Sequence, residues 1–160
     1  FWKGNIPWVS SSDITDNVKQ ITISRFISAE AIKKSATKLI PKQSILIVSR
    51  VGVGKVALTN CDLCTSQDFT NIVEVQGNRT FLCYLLKNVM ERKALSTQGT
   101  SIKGITSNEI KSIVLDMPVI DEQNKIALFL SLLDEKIEKE NECLEHWQQV
   151  KKGLLQQMFV

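Results

Sequence analysis

Gly52-Val53-Gly54-Lys55 sets two glycines and a lysine where backbone could wrap a phosphate, because glycine permits close approach and the ammonium supplies charge. A full phosphate loop needs a glycine at Ser49 and a Ser or Thr at Val56, so the string reads instead as a hairpin tip. Its flanking Arg50 and Lys55 can reach phosphates or base edges. Cys61-Asp62-Leu63-Cys64 has the two-residue gap of half a zinc site, but Cys83 and Cys143 stand alone and His146 is the only histidine. Neither a complete metal set nor a redox pair in its usual βαβ setting is expected. His146 lies with Glu142 and Glu145 on a predicted helix and has no nucleophile to serve. Glu91-Arg92-Lys93 and Glu109-Ile110-Lys111 repeat the acid-x-lysine spacing of metal-dependent nucleases, yet both fall in predicted helix and such tripeptides recur by chance. Amino-methylation of DNA needs an Asn or Asp followed by two prolines and an aromatic, and Pro7, Pro41 and Pro118 are never adjacent. No catalytic residue, metal or cofactor is expected.

The elements that would position the remaining polar groups divide the chain in two. Ile126, Leu130, Leu133, Ile137, Leu144, Trp147, Leu154 and Met158 follow a 4-3-4 rhythm that predicts one long helix with an apolar seam. From Asp121 to Phe159 it would run roughly 58 Å at ~1.5 Å per residue, longer than a domain of this size is wide, so its far half is expected to meet a partner. Gly153 is a candidate kink. Glu140 and Lys151 interrupt the seam, and a charge at such a position is costly unless an opposite charge meets it. Two parallel copies would oppose like charges. An antiparallel pair whose facing numbers sum to 291 sets Glu140 against Lys151, Ile137 against Leu154, Leu133 against Met158 and Leu144 against Trp147.

At 160 residues, 43% of them hydrophobic, the chain has room for one ordinary globular domain plus this helix. No apolar run is long enough to span a membrane and no basic-then-apolar leader opens the sequence, so a cytoplasmic location is expected. The four cysteines are expected to be reduced thiols. Charge is unevenly shared: residues 1–118 hold 15 Lys or Arg against 9 acids, and residues 119–160 hold 5 against 8. A basic body on an acidic stalk suits a polyanion for the body and protein for the stalk.

Within the body, the tryptophans and Ile6-Pro7 read as a strand running into Ser10-Ser11-Ser12-Asp13. Ser28 caps a short helix, and Pro41-Lys42-Gln43 turns into a strand at Ser44–Ser49 that hairpins back through Val56–Thr59. A strand is predicted around Phe69–Val75, a turn at Gly77-Asn78 and a helix at Phe81–Lys93. Gln98 to Ser101 reads as a loop, Ile102–Ile105 as a short strand, Thr106 to Glu109 as a capping box, and Ile113–Met117 as the last strand before Pro118. The predicted class is α+β: a mixed α/β globular domain, then one long coiled-coil helix that pairs antiparallel.

Several strings then converge. Trp2-Lys3-Gly4-Asn5-Ile6-Pro7-Trp8-Val9-Ser10, Leu39-Ile40-Pro41-Lys42 before Ile45-Leu46, and Thr65-Ser66-Gln67-Asp68-Phe69 come first. Gly99-Thr100 before Gly104-Ile105 follows, then Pro118 before Glu122-Gln123-Asn124-Lys125-Ile126-Ala127, and last Lys152-Gly153-Leu154-Leu155-Gln156-Gln157-Met158-Phe159. In this order and spacing they resemble the DNA-specificity subunit of type I restriction-modification systems over nearly the whole chain.

The resemblance implies a target recognition domain at 1–118 that reads one half of a split site on double-stranded DNA. It implies a helix at 119–160 that pairs antiparallel, spaces the readers and docks methyltransferase subunits, and through them restriction subunits. With one domain and one helix, the chain resembles a half-subunit. Family members generally carry a leading segment before the first string, so the domain's first strand is expected to be missing or supplied otherwise. A homodimer of half-subunits would read an inverted repeat with half-sites about 34 Å apart. The DNA-contacting residues are expected at the tips: Ser10, Ser11, Ser12, Arg50, Lys55, Gln67, Thr100, Ser101 and Lys103. The dimer interface is expected at Leu133, Ile137, Glu140, Leu144, Trp147, Lys151, Leu154 and Met158. The competing expectation is a truncated interaction module that dimerises or occupies a methyltransferase subunit without reading DNA; a free-standing nuclease is a third.

Overall fold

Ile45, Leu46, Ile47 and Val48 are all buried, so the strand they form is covered on both faces, as its unbroken apolar run predicts. This strand is the middle one of its sheet in the computed structural model of the chain, which describes residues 1–97 and 104–159. Two compact units are present, Phe1–Asn124 and Lys125–Val160.

In the first unit the elements run β1 (Ile6–Val9), β2 (Arg25–Ile27), α1 (Ala29–Lys34), β3 (Leu39–Ile40), β4 (Ile45–Val48), β5 (Val56–Leu58), β6 (Leu63–Thr65), β7 (Phe69–Ile72), α2 (Arg79–Thr97) and α3 (Ser107–Lys111). One sheet has the order β2-β1-β6-β3, in which β1 and β6 are parallel and the other pairs antiparallel. The second has the order β5-β4-β7, antiparallel throughout. Alternate side chains of β4 serve different cores. Ile45 and Ile47 pack with Cys83, Leu86 and Met90 of α2, and Leu46 and Val48 pack with Val9, Ile40 and Leu63 of the first sheet. Burial pushes the Cys83 thiol up to about 12, so it stays protonated and packs as a small apolar group.

Local signals explain the helix ends. The Ser28 hydroxyl accepts the Ala31 N–H at the start of α1, and Thr106 and Glu109 form the expected capping box of α3. Asn78, expected only as part of a turn, caps α2 by accepting the Phe81 N–H (2.9 Å). Gln123 then ties the chain down: its Oε1 accepts the Asn78 N–H (3.0 Å) and its Nε2 donates to the Pro118 carbonyl (2.8 Å).

The expected strand at Ile113–Met117 is corrected. These residues pair with no described strand, although Ile113 and Leu115 pack on the α2 core while Val114 is 91% exposed. The alternation of side chains is real, but no ladder accompanies it. Gly104 and Ile105 are likewise not in a strand; the Ile105 N–H donates to the Ser49 carbonyl (2.7 Å), and Ile102 lies outside the described residues. Strands β2, β3 and β6 were not expected.

The long helix α4 spans Ile120–Met158, 39 residues, and continues through Gly153. Its first residues belong to the first unit and the remainder forms the second. No described helix is long and apolar enough to cross a membrane.

Candidate nucleic-acid interface

Strand β1 delivers the chain to a 3-10 turn at Ser11–Asp13, which holds the first predicted tip. Its geometry comes from Asp13. The buried carboxylate accepts hydrogen bonds from the Ser10 N–H (2.7 Å) and hydroxyl (3.0 Å) and forms an ion pair with Arg25 of the neighbouring strand. The Arg25 guanidinium also donates to the Ser10 hydroxyl (2.6 Å) and lies 4.7 Å from the centre of the Trp8 ring, which meets Trp2 nearly at right angles with ring centres 5.1 Å apart. Ser10 is thereby engaged inside the domain, and Ser12 is left exposed.

The second tip is the β4–β5 hairpin. Gly52 and Gly54 take φ of +84° and +109°, a backbone region that side-chain-bearing residues rarely adopt, which explains both glycines without a phosphate. Lys55 is not loose. Its ammonium donates to the Ile14 carbonyl (3.0 Å) and lies 3.4 Å from that of Ser11, so it pins the first tip to the second. A Cβ on Gly52 would sit 3.9 Å from that of Ser11. Arg50 is exposed.

Gln67, the third tip, is exposed in the turn between β6 and β7. Both the N–H and the hydroxyl of Ser49 donate to the Asp68 carbonyl (2.7 and 3.0 Å), which fastens this turn to the hairpin. Thr100, Ser101 and Lys103 of the fourth tip lie outside the described residues. Gly104, next in sequence, packs so closely that a Cβ there would lie 2.6 Å from the Ser49 carbonyl oxygen and 3.1 Å from the Arg50 Cα. Arg50, Val51, Gln67, Phe69 and the stretch from Gly104 to Ser107 line one concavity of about 500 Å³. A second, of about 540 Å³, takes in Trp8, Lys38, Gln67 and Asn71. The structure thus brings the three described tips together in the first unit.

Arg25, Phe69, Thr106 and Ser107 belong to this surface, which the buried Asp13 supports, and none of these roles was expected. The capping box signalled a helix start at Thr106, but nothing in the sequence placed that start beside Arg50. The groups weighed for catalysis are occupied otherwise. Glu91 lies 3.8 Å from Lys87, and hydrogen bonds from Thr106 hold the Glu109 carboxyl below its ordinary range. Cys64 is buried in β6, and among the described residues no group of three or more His, Cys, Asp or Glu could hold a metal.

In the second unit, Leu133, Ile137, Leu144, Trp147, Leu154 and Met158 recur at seam spacing, between 42% and 73% exposed, and Glu140 and Lys151 are exposed among them.

The family model for the type I restriction modification DNA specificity domain matches residues 2–146. The specificity subunit of the type I restriction enzyme MjaIX from Methanocaldococcus jannaschii is 34% identical over 154 residues, covering 91% of this chain and 35% of that protein. A type I restriction enzyme specificity subunit from Escherichia coli is 30% identical over 144 residues, covering 84% of this chain and 35% of that one. The chain therefore spans about a third of the length of these relatives. In three dimensions it is similar to the HsdS subunit from Thermoanaerobacter tengcongensis, with a TM-score of 0.68 at 18% identity over 95% of this chain and 41% of that one. A chain from a structural study of type I R-M complex assembly and conformational transition gives 0.64 at 19% identity, over 99% of this chain and 37% of that chain. These likenesses bear out the α+β domain followed by a long helix.

Proposed function

The chain belongs to the type I restriction modification DNA specificity family, and from that premise we propose that it is the non-catalytic, sequence-reading component of a type I restriction-modification complex. The first unit reads one half-site on double-stranded DNA. Helix α4 pairs antiparallel with a second copy and docks methyltransferase subunits, through which restriction subunits join. Its free thiols suit the reducing cytoplasm.

One observation carries the reading of DNA: tips distant in sequence, at Ser10–Ser12, Arg50–Lys55 and Gln67, are fastened side by side by Lys55 and by Ser49. A cationic guanidinium and a glutamine amide beside one concavity are groups that can pair with guanine and adenine edges, and small hydroxyls beside them suit phosphate or base contacts. Support for the helix pair is the seam, whose eight positions from Leu133 to Met158 all find compatible opposites in the register that joins Glu140 to Lys151. In such a two-fold dimer the two readers are identical and the target is an inverted repeat.

The test is retention of a random DNA library by the chain, with and without methyltransferase subunits. Enrichment of an inverted repeat is the expected result. An asymmetric motif would remove the homodimer, and unselective retention would remove the reading of sequence.

A further inference from the structure

The β4–β5 tip carries two valines with opposite fates. Val53 packs against the core cluster of α2. Val51 is 66% exposed. A single exposed apolar side chain is ordinary on a protein surface, but this one stands on an anchored turn. Lys55 ties the hairpin to Ile14, the Val48 N–H donates to the Lys55 carbonyl (3.0 Å), and Gly104 packs against Ser49 and Arg50. Val51 also lines the same concavity as Arg50 and Gln67, with Phe69 and Ile105 in its walls.

We infer that Val51 is a specificity-determining residue that reads thymine through its C5-methyl group. The inference rests on the proposed reading of DNA by this surface and goes beyond it by naming a residue and a base. In the major groove, guanine, adenine and cytosine present hydrogen-bonding atoms, and thymine alone adds an apolar projection. Arg50 and Gln67 supply the polar half of such readout. A β-branched side chain suits the remaining feature, because its two methyl groups are held stiffly at χ1 and give up little freedom on contact.

Deoxyuridine tests this directly, since it differs from thymidine only by that methyl. The full chain is measured against its selected site with each thymine replaced in turn. One replacement is expected to weaken binding about fourfold, the loss predicted for uncovering one methyl group. Val51→Ala should weaken the unmodified site by a similar factor and become insensitive to that replacement, while Val51→Thr, which keeps one methyl, should remain sensitive. Equal thermal unfolding of the variants guards against a folding effect. If the chain selects a site but no replacement matters, or if Val51→Ala stays as sensitive as the parent, the inference fails and the reading of DNA stands. A side chain wedged between base steps would give that pattern, with Val51→Ala weakening every site alike. Absence of any selective binding overturns both.

Discussion

In the first unit the apolar side chains of β4 are wholly buried, whereas the second unit holds Ile137, Trp147 and Met158 on its outside, 58%, 62% and 73% exposed. Burial in the first unit comes from its own chain: two sheets and α2 supply both faces of the central strand. A lone helix has no second layer to cover its seam. The difference teaches that similar sequence hydrophobicity can specify a finished core or an unfinished one, depending on whether the apolar residues recur on elements that fold back on each other.

The largest effect should come from breaking the unfinished side. In the proposed antiparallel pair, Leu144→Asp places a carboxylate at two symmetric positions opposite Trp147; at about 2 kcal/mol each, association should weaken roughly a thousandfold, read as a halved mass in sedimentation. Urea unfolding of the first unit should be unchanged. The finished side breaks differently: Leu46→Ala, at a fully buried position, should cost about 3 kcal/mol of unfolding free energy while leaving self-association intact.

Smaller changes sharpen the contrast. Lys55→Ala should lose about 1–2 kcal/mol of stability, since its ammonium serves backbone carbonyls, and Arg50→Ala should leave stability alone while relaxing the preference at one base of the selected DNA site. On the helix, Glu140→Lys should loosen the dimer by about 1 kcal/mol per contact, and adding Lys151→Glu should restore it, because the reversed charges again face opposites. A parallel pair would gain nothing from the second change. Least of all, Glu109→Ala should lower Tm slightly at neutral pH through loss of the α3 cap. Its carboxyl titrates below the ordinary range when folded, so this contribution is present above the unfolded pKa and disappears as pH falls through the folded one, where variant and parent converge.

What was legible followed local rules. Ser28 and the Thr106–Glu109 box announced their helices through side-chain capping, the Ser44–Thr59 hairpin through an apolar run around glycines, and α4 through its period. The strands that escaped notice are two or three residues long and take meaning from distant partners: β6 pairs with β1, more than fifty residues away, and it begins at Leu63, inside the Cys61–Cys64 stretch, where cysteine spacing drew attention to metal chemistry. Ile113–Met117 failed in the opposite direction, because alternation reports which side chains are buried and says nothing of hydrogen-bond partners. At the site, the tips could be named from their residue types. Their adjacency could not, because it depends on Lys55 reaching carbonyls some forty positions back and on Ser49 reaching Asp68. Lys55 itself read as a charge aimed outward.

That lysine grips main-chain oxygens, which every amino acid supplies. The anchor therefore does not depend on which side chain stands at position 11, and Ser11 can be exchanged without moving the loop that displays it. Natural variation can rewrite the lettering of this face while its frame stays put.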